Sequence, residues 1–247
     1  MLSNTRQDQI LNYLKKNVSA TVKELAAALY VSEATVRRDL VEMQSLGLLQ
    51  RSHGGAILLE ATDESSIIVR MTEHAKEKGI AVSNALPHIP TDFKTVFLDS
   101  SSTILALAMR LSLVNKTVVT NNLQTVLQLS KIRDINLVIP GGNISLGGTS
   151  VTGSWTSSQL SNFHFDLMLT SCAAIVGDGA YETSLDQREV KRTVFDRSDC
   201  RILLCDHTKF ERTGTYLFEN LSAFDKVIFD RLTDKQKEEL KNCPIVC

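Results

Sequence analysis

Two adjacent arginines, Arg37 and Arg38, interrupt a segment in which Val36, Leu40 and Met43 recur at helical spacing. On a wheel stepped by about 100° per residue, Leu40 and Met43 fall within about 40° of Val36. Ala34 and Arg38 then lie nearly opposite them, flanked by Thr35 and Arg37. Arg38 is thus aimed away from any core this helix packs on. A guanidinium so placed can pair bidentately with guanine in a DNA major groove, and Ala34 can meet a thymine methyl. Arg37, Thr35 and Ser32, which opens the helix, are placed for phosphate oxygens. Arg51 and His53 follow on a glycine-tipped hairpin and can reach the backbone or a neighbouring minor groove. The alternative is plain solvation of an exposed face, the commoner use of an isolated Arg-Arg pair.

A second set of polar residues falls where strands end: Asp99-Ser100-Ser101-Ser102-Thr103, Thr120-Asn121-Asn122, Pro140-Gly141-Gly142-Asn143 and Asp206-His207-Thr208-Lys209. In an open α/β sheet, ligands sit at the carboxyl ends of the strands. The Ser/Thr run offers hydroxyls and backbone amides to an anion. Gly141 and Gly142 let a backbone approach it closely. Lys191 and Lys209 supply charge, Asp99 and Asp206 accept from sugar hydroxyls, and Asn121 joins them. Each cluster has a plainer use as helix cap, turn or solvated loop. Four at one sheet edge argue for a shared effector site.

The elements that must position these residues are legible from spacing. Residues 5–17 read as a helix with Ile10, Leu11 and Leu14 inward. Thr21-Val22-Lys23-Glu24 is a capping box that opens a second helix. A turn at Tyr30-Val31 leads to the third helix, from Glu33 to about Leu46, ended by Gly47. Extended runs 48–51 and 56–59 enclose His53-Gly54-Gly55. Three helices and a two-stranded wing make a winged helix-turn-helix over residues 1–59, and this context favours DNA reading over solvation. Residues 60–72 read as a linker. From 73 to 247, apolar strands (95–98, 116–120, 135–140, 165–170, 201–206, 226–230) alternate with amphipathic helices. They predict a mainly parallel sheet covered on both faces.

Bulk properties set bounds. The chain has 247 residues and a formal net charge of −1, which excludes a protein coated in basic surface. Residues 1–55 hold seven Lys/Arg against five Asp/Glu, so the positive excess is local and small. Five scattered cysteines without Cys-x-x-Cys spacing read as reduced thiols in a cytoplasmic protein. No metal site and no cofactor are expected. Arg6, Asp8, Lys15 and Lys16 break any early apolar run, and no stretch reaches membrane-spanning length.

The segment VSEATVRRDLVEMQSLGLLQRSHGGA resembles the signature of the DeoR family of bacterial transcriptional regulators. The resemblance continues through Arg70, Glu77-Lys78, Ile80-Ala81, FLDSSST, VVTNN, IPGGNIS, VKR at 190–192 and CDHTKF at 205–210. It implies a repressor of a sugar-catabolism operon that binds double-stranded operator DNA. Its C-terminal domain would resemble sugar-phosphate isomerases in fold and sense a phosphorylated sugar or related metabolite. Two positions depart from the family: Ser101 stands where a glycine is usual, and Gln187 where an acidic residue is common. A homo-oligomer, dimer or tetramer, is expected, because one winged domain reads only a half-site. The competing reading is a sugar-phosphate isomerase fused to a DNA-binding module, with Asp99 or Asp206 as general base.

Overall fold

Helix α1 (Leu2–Asn17) leads into a short strand, β1 (Ser19–Thr21), then α2 (Val22–Leu29) and α3 (Glu33–Ser45). Strands β2 (Gln50–Ser52) and β3 (Gly55–Ile57) form the wing, and α4 (Ile67–Thr72) follows. The computed structural model describes residues 2–45, 49–52, 54–57, 67–144 and 148–246. The chain divides into two units, residues 1–72 and 73–247. His53, Gly47 and residues 60–66 of the expected linker lie outside the described residues. The last six residues of that linker segment are helical, as α4.

In the first unit the capping box forms as spelled: Glu24 N donates to Thr21 Oγ1, and Thr21 N donates to Glu24 Oε2. Tyr30 adopts the left-handed conformation (φ 55°) and so breaks α2 from α3. Helices of eight and thirteen residues are marginal alone in water. Burial holds them: Ile10, Leu14, Leu25, Val36, Leu40 and Met43 are all 0% exposed, in one cluster. Each such side chain contributes roughly 1.5–3 kcal/mol. The expected two-stranded wing is a three-stranded antiparallel sheet, ordered β1-β3-β2. Gly55 shows why: a Cβ there would lie 2.2 Å from the Ala20 carbonyl oxygen of β1.

The second unit begins with α5 (Ala75–Ala85), β4 (Thr95–Leu98), α6 (Ser102–Ala108), β5 (Thr117–Thr120), α7 (Leu123–Leu129) and β6 (Asn136–Val138). A small ladder, β7 (Asn143–Ile144) with β8 (Val151–Thr152), precedes α8 (Ser154–Leu160). Then come β9 (Phe165–Thr170), β10 (Ala174–Val176), β11 (Gly179–Glu182), α9 (Leu185–Phe195), β12 (Ser198–Cys205) and β13 (Tyr216–Asn220). The unit closes with β14 (Lys226–Phe229), α10 (Asp234–Glu239) and β15 (Ile245–Val246).

Seven strands form one wholly parallel sheet, ordered β15-β14-β12-β9-β4-β5-β6. Alternate residues feed separate cores: Phe97, Met168, Leu203 and Val227 join one, and Val96, Leu98, Leu167, Leu169, Ile202 and Ile228 the other. Both faces are therefore covered, which is why these strands read as unbroken apolar runs. The chain leaves β4 in one direction through β5 and β6, then returns to its other side with β9. The switch point, where such sheets open a crevice, is the β4/β9 boundary. A separate antiparallel sheet, β10-β11-β13, is absent from the sequence reading. Among the described residues no helix is long and apolar enough to cross a membrane.

Candidate nucleic-acid interface and anion site

On α3 the wheel holds. Val36, Leu40 and Met43 are fully buried, while Ser32, Ala34, Arg37 and Arg38 are exposed and Thr35 is half-buried. Ser32 caps the helix, accepting from Thr35 N at 3.2 Å, and its hydroxyl lies 2.8 Å from Thr35 Oγ1. Arg37 pairs with Glu33 one turn earlier, at 2.8 Å. That exposed pair is worth a few tenths of a kcal/mol, so a phosphate can take Arg37 from it. Arg38 makes no ion pair with any described residue. Arg51 is exposed on β2.

One contact behind this surface escapes the sequence reading. Arg6 of α1 grips Asp39 through two bonds, Nε to Oδ2 at 2.5 Å and Nη2 to Oδ1 at 2.9 Å. Asp39 is 2% exposed. The signal was its angle: about 60° from Val36, at the margin of the buried stripe, where a carboxylate must find a partner.

In the second unit the C-terminal ends of β12, β9, β4 and β5 stand side by side, followed by Asp206, Ser171, Asp99 and Asn121. At the β4/β9 boundary sits Lys191 of α9, buried, its Nζ 2.9 Å from Asp99 Oδ2 and 2.6 Å from Glu182 Oε1. It also donates to the Ser171 carbonyl at 2.5 Å. Asp99 further accepts from Ser101 N, Thr170 Oγ1 and Ser171 N, at 2.8, 2.7 and 3.0 Å. Burial alone would raise the Asp99 pKa, but Lys191 and these bonds hold it below the usual carboxylate range. Burial would likewise strip the Lys191 proton, and Asp99 and then Glu182 reverse this, raising its pKa above the ordinary lysine value. These charges face one another and tie β4, β9, β11 and α9 together.

The neighbouring clusters are also engaged with the protein. Ser101 Oγ accepts from Ile104 N at 3.1 Å and so caps α6; its side chain is spent on the helix. Ser100 Oγ donates to Gln187 Oε1 at 3.1 Å, both buried. Ser102 and Thr103 are buried in the first turn of α6. Gly141 donates to Gln159 Oε1 at 3.0 Å, and a Cβ on Gly142 would lie 1.9 Å from Thr156 Oγ1. Gly142 thus admits α8 against the loop after β6. Asn121 Nδ2 donates to the Val151 carbonyl at 3.1 Å. Its Oδ1, with Asn122 Nδ2, Thr125 Oγ1 and Ser150 Oγ, is buried without a partner among the described residues. Such groups call for ordered water or ligand hydroxyls.

The end of β12 differs. Asp206 is fully buried; Oδ1 accepts from Thr208 N and Thr208 Oγ1, while Oδ2 has no partner among the described residues. Burial opposes its charge, but the Thr208 bond and the charges of Lys209, Lys78 and His74 hold its pKa low. Lys78 of α5 is buried and donates to the Glu73 carbonyl at 2.7 Å. Its pKa is pushed down to about 8, first by burial and then by Lys209, with Arg212 adding to the push. The sequence reading placed Asp206 and Lys209 here and passed over Lys78 and Arg212. Lys78 was findable: it shares helical spacing with Ala81, Val82 and Ala85, all buried, and a lysine on an apolar stripe asks for an anion.

Comparison with known proteins follows the same division. The family model described as DeoR-like helix-turn-helix domain matches residues 6–62, and that described as DeoR C terminal sensor domain matches residues 73–231. The chain is 29% identical to the HTH-type transcriptional regulator GolR of Listeria innocua, over 93% of this chain and 91% of that protein. It is 28% identical to the transcriptional repressor GlcR of Bacillus subtilis, over 95% and 91%. It is 30% identical to the L-fucose operon activator of Escherichia coli, over 91% and 94%. Among solved structures, a ribose 5-phosphate isomerase A from Neisseria gonorrhoeae overlaps 54% of this chain and 52% of its own, at a TM-score of 0.37 and 16% identity. That likeness is too slight to bear on function.

Proposed function

This chain belongs to the DeoR family and is a DNA-binding transcriptional regulator with a C-terminal sensor domain; on that premise we propose that it represses a sugar-catabolism operon and answers to a phosphorylated sugar. The observation that carries the ligand class is the cluster at the end of β12. Lys78 and Lys209 act on Asp206, and Lys209 and Arg212 oppose the charge of Lys78 while Asp206 and Glu73 favour it. A phosphate dianion placed among them removes that opposition. Asp206 Oδ2 takes a sugar hydroxyl. Asp99, Lys191 and the Ser100–Thr103 run form the floor that fixes the strand ends, with Gly141-Gly142 closing one side. The enzyme reading has less support: of its two candidate bases, Asp99 already accepts from Ser101, Thr170, Ser171 and Lys191, and the domain that carries both Asp99 and Asp206 matches a sensor-domain family.

On the DNA side Arg38 reads a base, Arg37, Thr35 and Ser32 hold phosphates, and Arg51 and His53 extend the contact from the wing. The reading unit covers one half-site, so the working form is a cytoplasmic homo-oligomer on a two-fold operator.

A thermal-shift screen of sugars, each with and without its phosphate, tests the sensor. A ligand bound only by the native state raises stability by RT ln(1 + [L]/Kd), about 2.7 kcal/mol at a hundredfold excess over Kd. The expected result is stabilisation by one or a few phosphorylated sugars and none by their parents. Equal stabilisation by both members of a pair would remove the phosphate site.

A further inference from the structure

Cys205 ends β12, and Cys172 stands two residues past the end of β9, its neighbour in the sheet. The register sets Leu203 against Thr170. Two further steps along each chain bring Cys205 opposite Cys172. Neighbouring strands run about 4.8 Å apart, within the Cα separation that a disulfide spans. The two sulfurs are 3.4 Å apart, and Ser171 Oγ lies 3.9 Å from Cys205 Sγ. Both cysteines are buried, Cys172 at 4% exposure and Cys205 at 0%. Neither DNA reading nor anion binding uses them.

We propose that Cys172 and Cys205 are a modification site that a two-electron oxidant of the peroxide class closes to a reversible disulfide, and that closure disables the anion site beside it. The Cys205 thiolate attacks one peroxide oxygen; the O–O bond breaks, hydroxide leaves and takes up a proton as water, and a sulfenic acid remains. The Cys172 sulfur then attacks Cys205 Sγ; the S–S bond forms, the S–O bond breaks, and the Cys172 proton leaves with the departing oxygen as a second water. Two thiols and one peroxide become one disulfide and two waters. The roles follow from the surroundings. Burial opposes a thiolate at Cys205, but its contact with Cys172 Sγ and the charge of Lys209 favour it, so its pKa is lowered, while that of Cys172 is raised.

Closure has a mechanical consequence. A disulfide sets its sulfurs about 2.0 Å apart, so the two Sγ atoms must close by over an ångström through rotation of their side chains, and the 3.9 Å contact of Cys205 Sγ with Ser171 Oγ is disturbed. Asp206 follows Cys205, and Ser171, which holds both Asp99 and Lys191, precedes Cys172, so both flank the new link and feel the turn of the two side chains. Binding constellations tolerate only about 0.5 Å of displacement. This consequence rests on the sensor reading above; the modification itself does not.

The test uses the full chain, treated with hydrogen peroxide, alkylated, digested and mapped by mass. The expected result is a peptide pair linked through Cys172 and Cys205, lost on reduction with dithiothreitol and absent from Cys172→Ser and Cys205→Ser. The oxidised protein binds operator but loses the thermal shift given by the phosphorylated sugar that stabilises the reduced form. Complete alkylation of both cysteines, at peroxide doses that oxidise the half-buried Cys200, overturns the proposal. So does a mapped disulfide in a protein that still responds to the sugar. If no phosphorylated sugar stabilises even the reduced protein, the sensor reading fails, and the mapped peptide alone decides the modification site.

Discussion

Arg38→Ala should cost operator binding about 1–3 kcal/mol and relax specificity at one position. Its side chain is exposed opposite Val36, Leu40 and Met43, and no described residue pairs with its charge. Arg37→Ala should instead weaken binding to all sequences alike and flatten the salt dependence, as a phosphate contact does. Fluorescence anisotropy on operator and scrambled duplexes, across a salt series, separates the two. Lys78 gives a prediction of opposite kind, because it is buried. In the free protein it gives up its proton near pH 8, and a phosphate beside it restores the charged form. Binding above that pH therefore takes up a proton. Affinity should be level below about pH 8 and fall by up to about tenfold per unit above it. The ligand's own second ionisation, near pH 6, is complete throughout this range. Calorimetric titration from pH 7 to 9.5 should show this slope in the parent and a flat profile in Lys78→Gln. A flat profile in the parent would take Lys78 out of the site.

Among elements, the grip of Arg6 on Asp39 holds the reading helix to α1. Arg6→Ala leaves a buried carboxylate with its strongest donor gone and should cost roughly 1–3 kcal/mol in urea unfolding. An unchanged midpoint would show that Asp39 is satisfied without α1. Lys191→Met strands two buried carboxylates and should cost about 3–5 kcal/mol. The folded Asp99 pKa lies below its ordinary value and the folded Lys191 pKa above its own. The triad's contribution is therefore complete between those ordinary values. It is lost as pH falls into the acid range or rises past the lysine range. A variant as stable as the parent at pH 7 would contradict the strut. Which elements were legible follows from how each is stabilised. Helices α2 and α3 carry their own caps and apolar stripes, and the parallel strands are apolar on both faces. Strands β1, β7, β8 and β10 are two or three residues long and exist through partners distant in sequence. No local pattern announces them. The candidate site was legible as polar clusters at strand ends. Its division into an inward strut at Asp99–Lys191 and a cationic cluster at Asp206 depends on pairings between α9, β11 and α5 that spacing does not encode.

For the molecule as a whole, a net charge of −1 gives no general attraction to DNA. In the proposed homo-oligomer affinity comes from paired reading units, and the salt dependence should report a handful of contacts per unit. Regulation then requires that the ligand prefer a conformation which the operator does not. Operator must weaken ligand binding by the factor by which ligand weakens operator binding. Lys209 is the residue through which to test this, because it is half-buried and lies in the second unit, outside the reading helix and the wing. The measurement is operator affinity with and without the phosphorylated sugar that most stabilises the protein, in the parent and in Lys209→Gln. The account predicts that the sugar releases the parent from operator, while Lys209→Gln binds operator as tightly as the parent and is not released. A Lys209→Gln protein released as readily as the parent would contradict it.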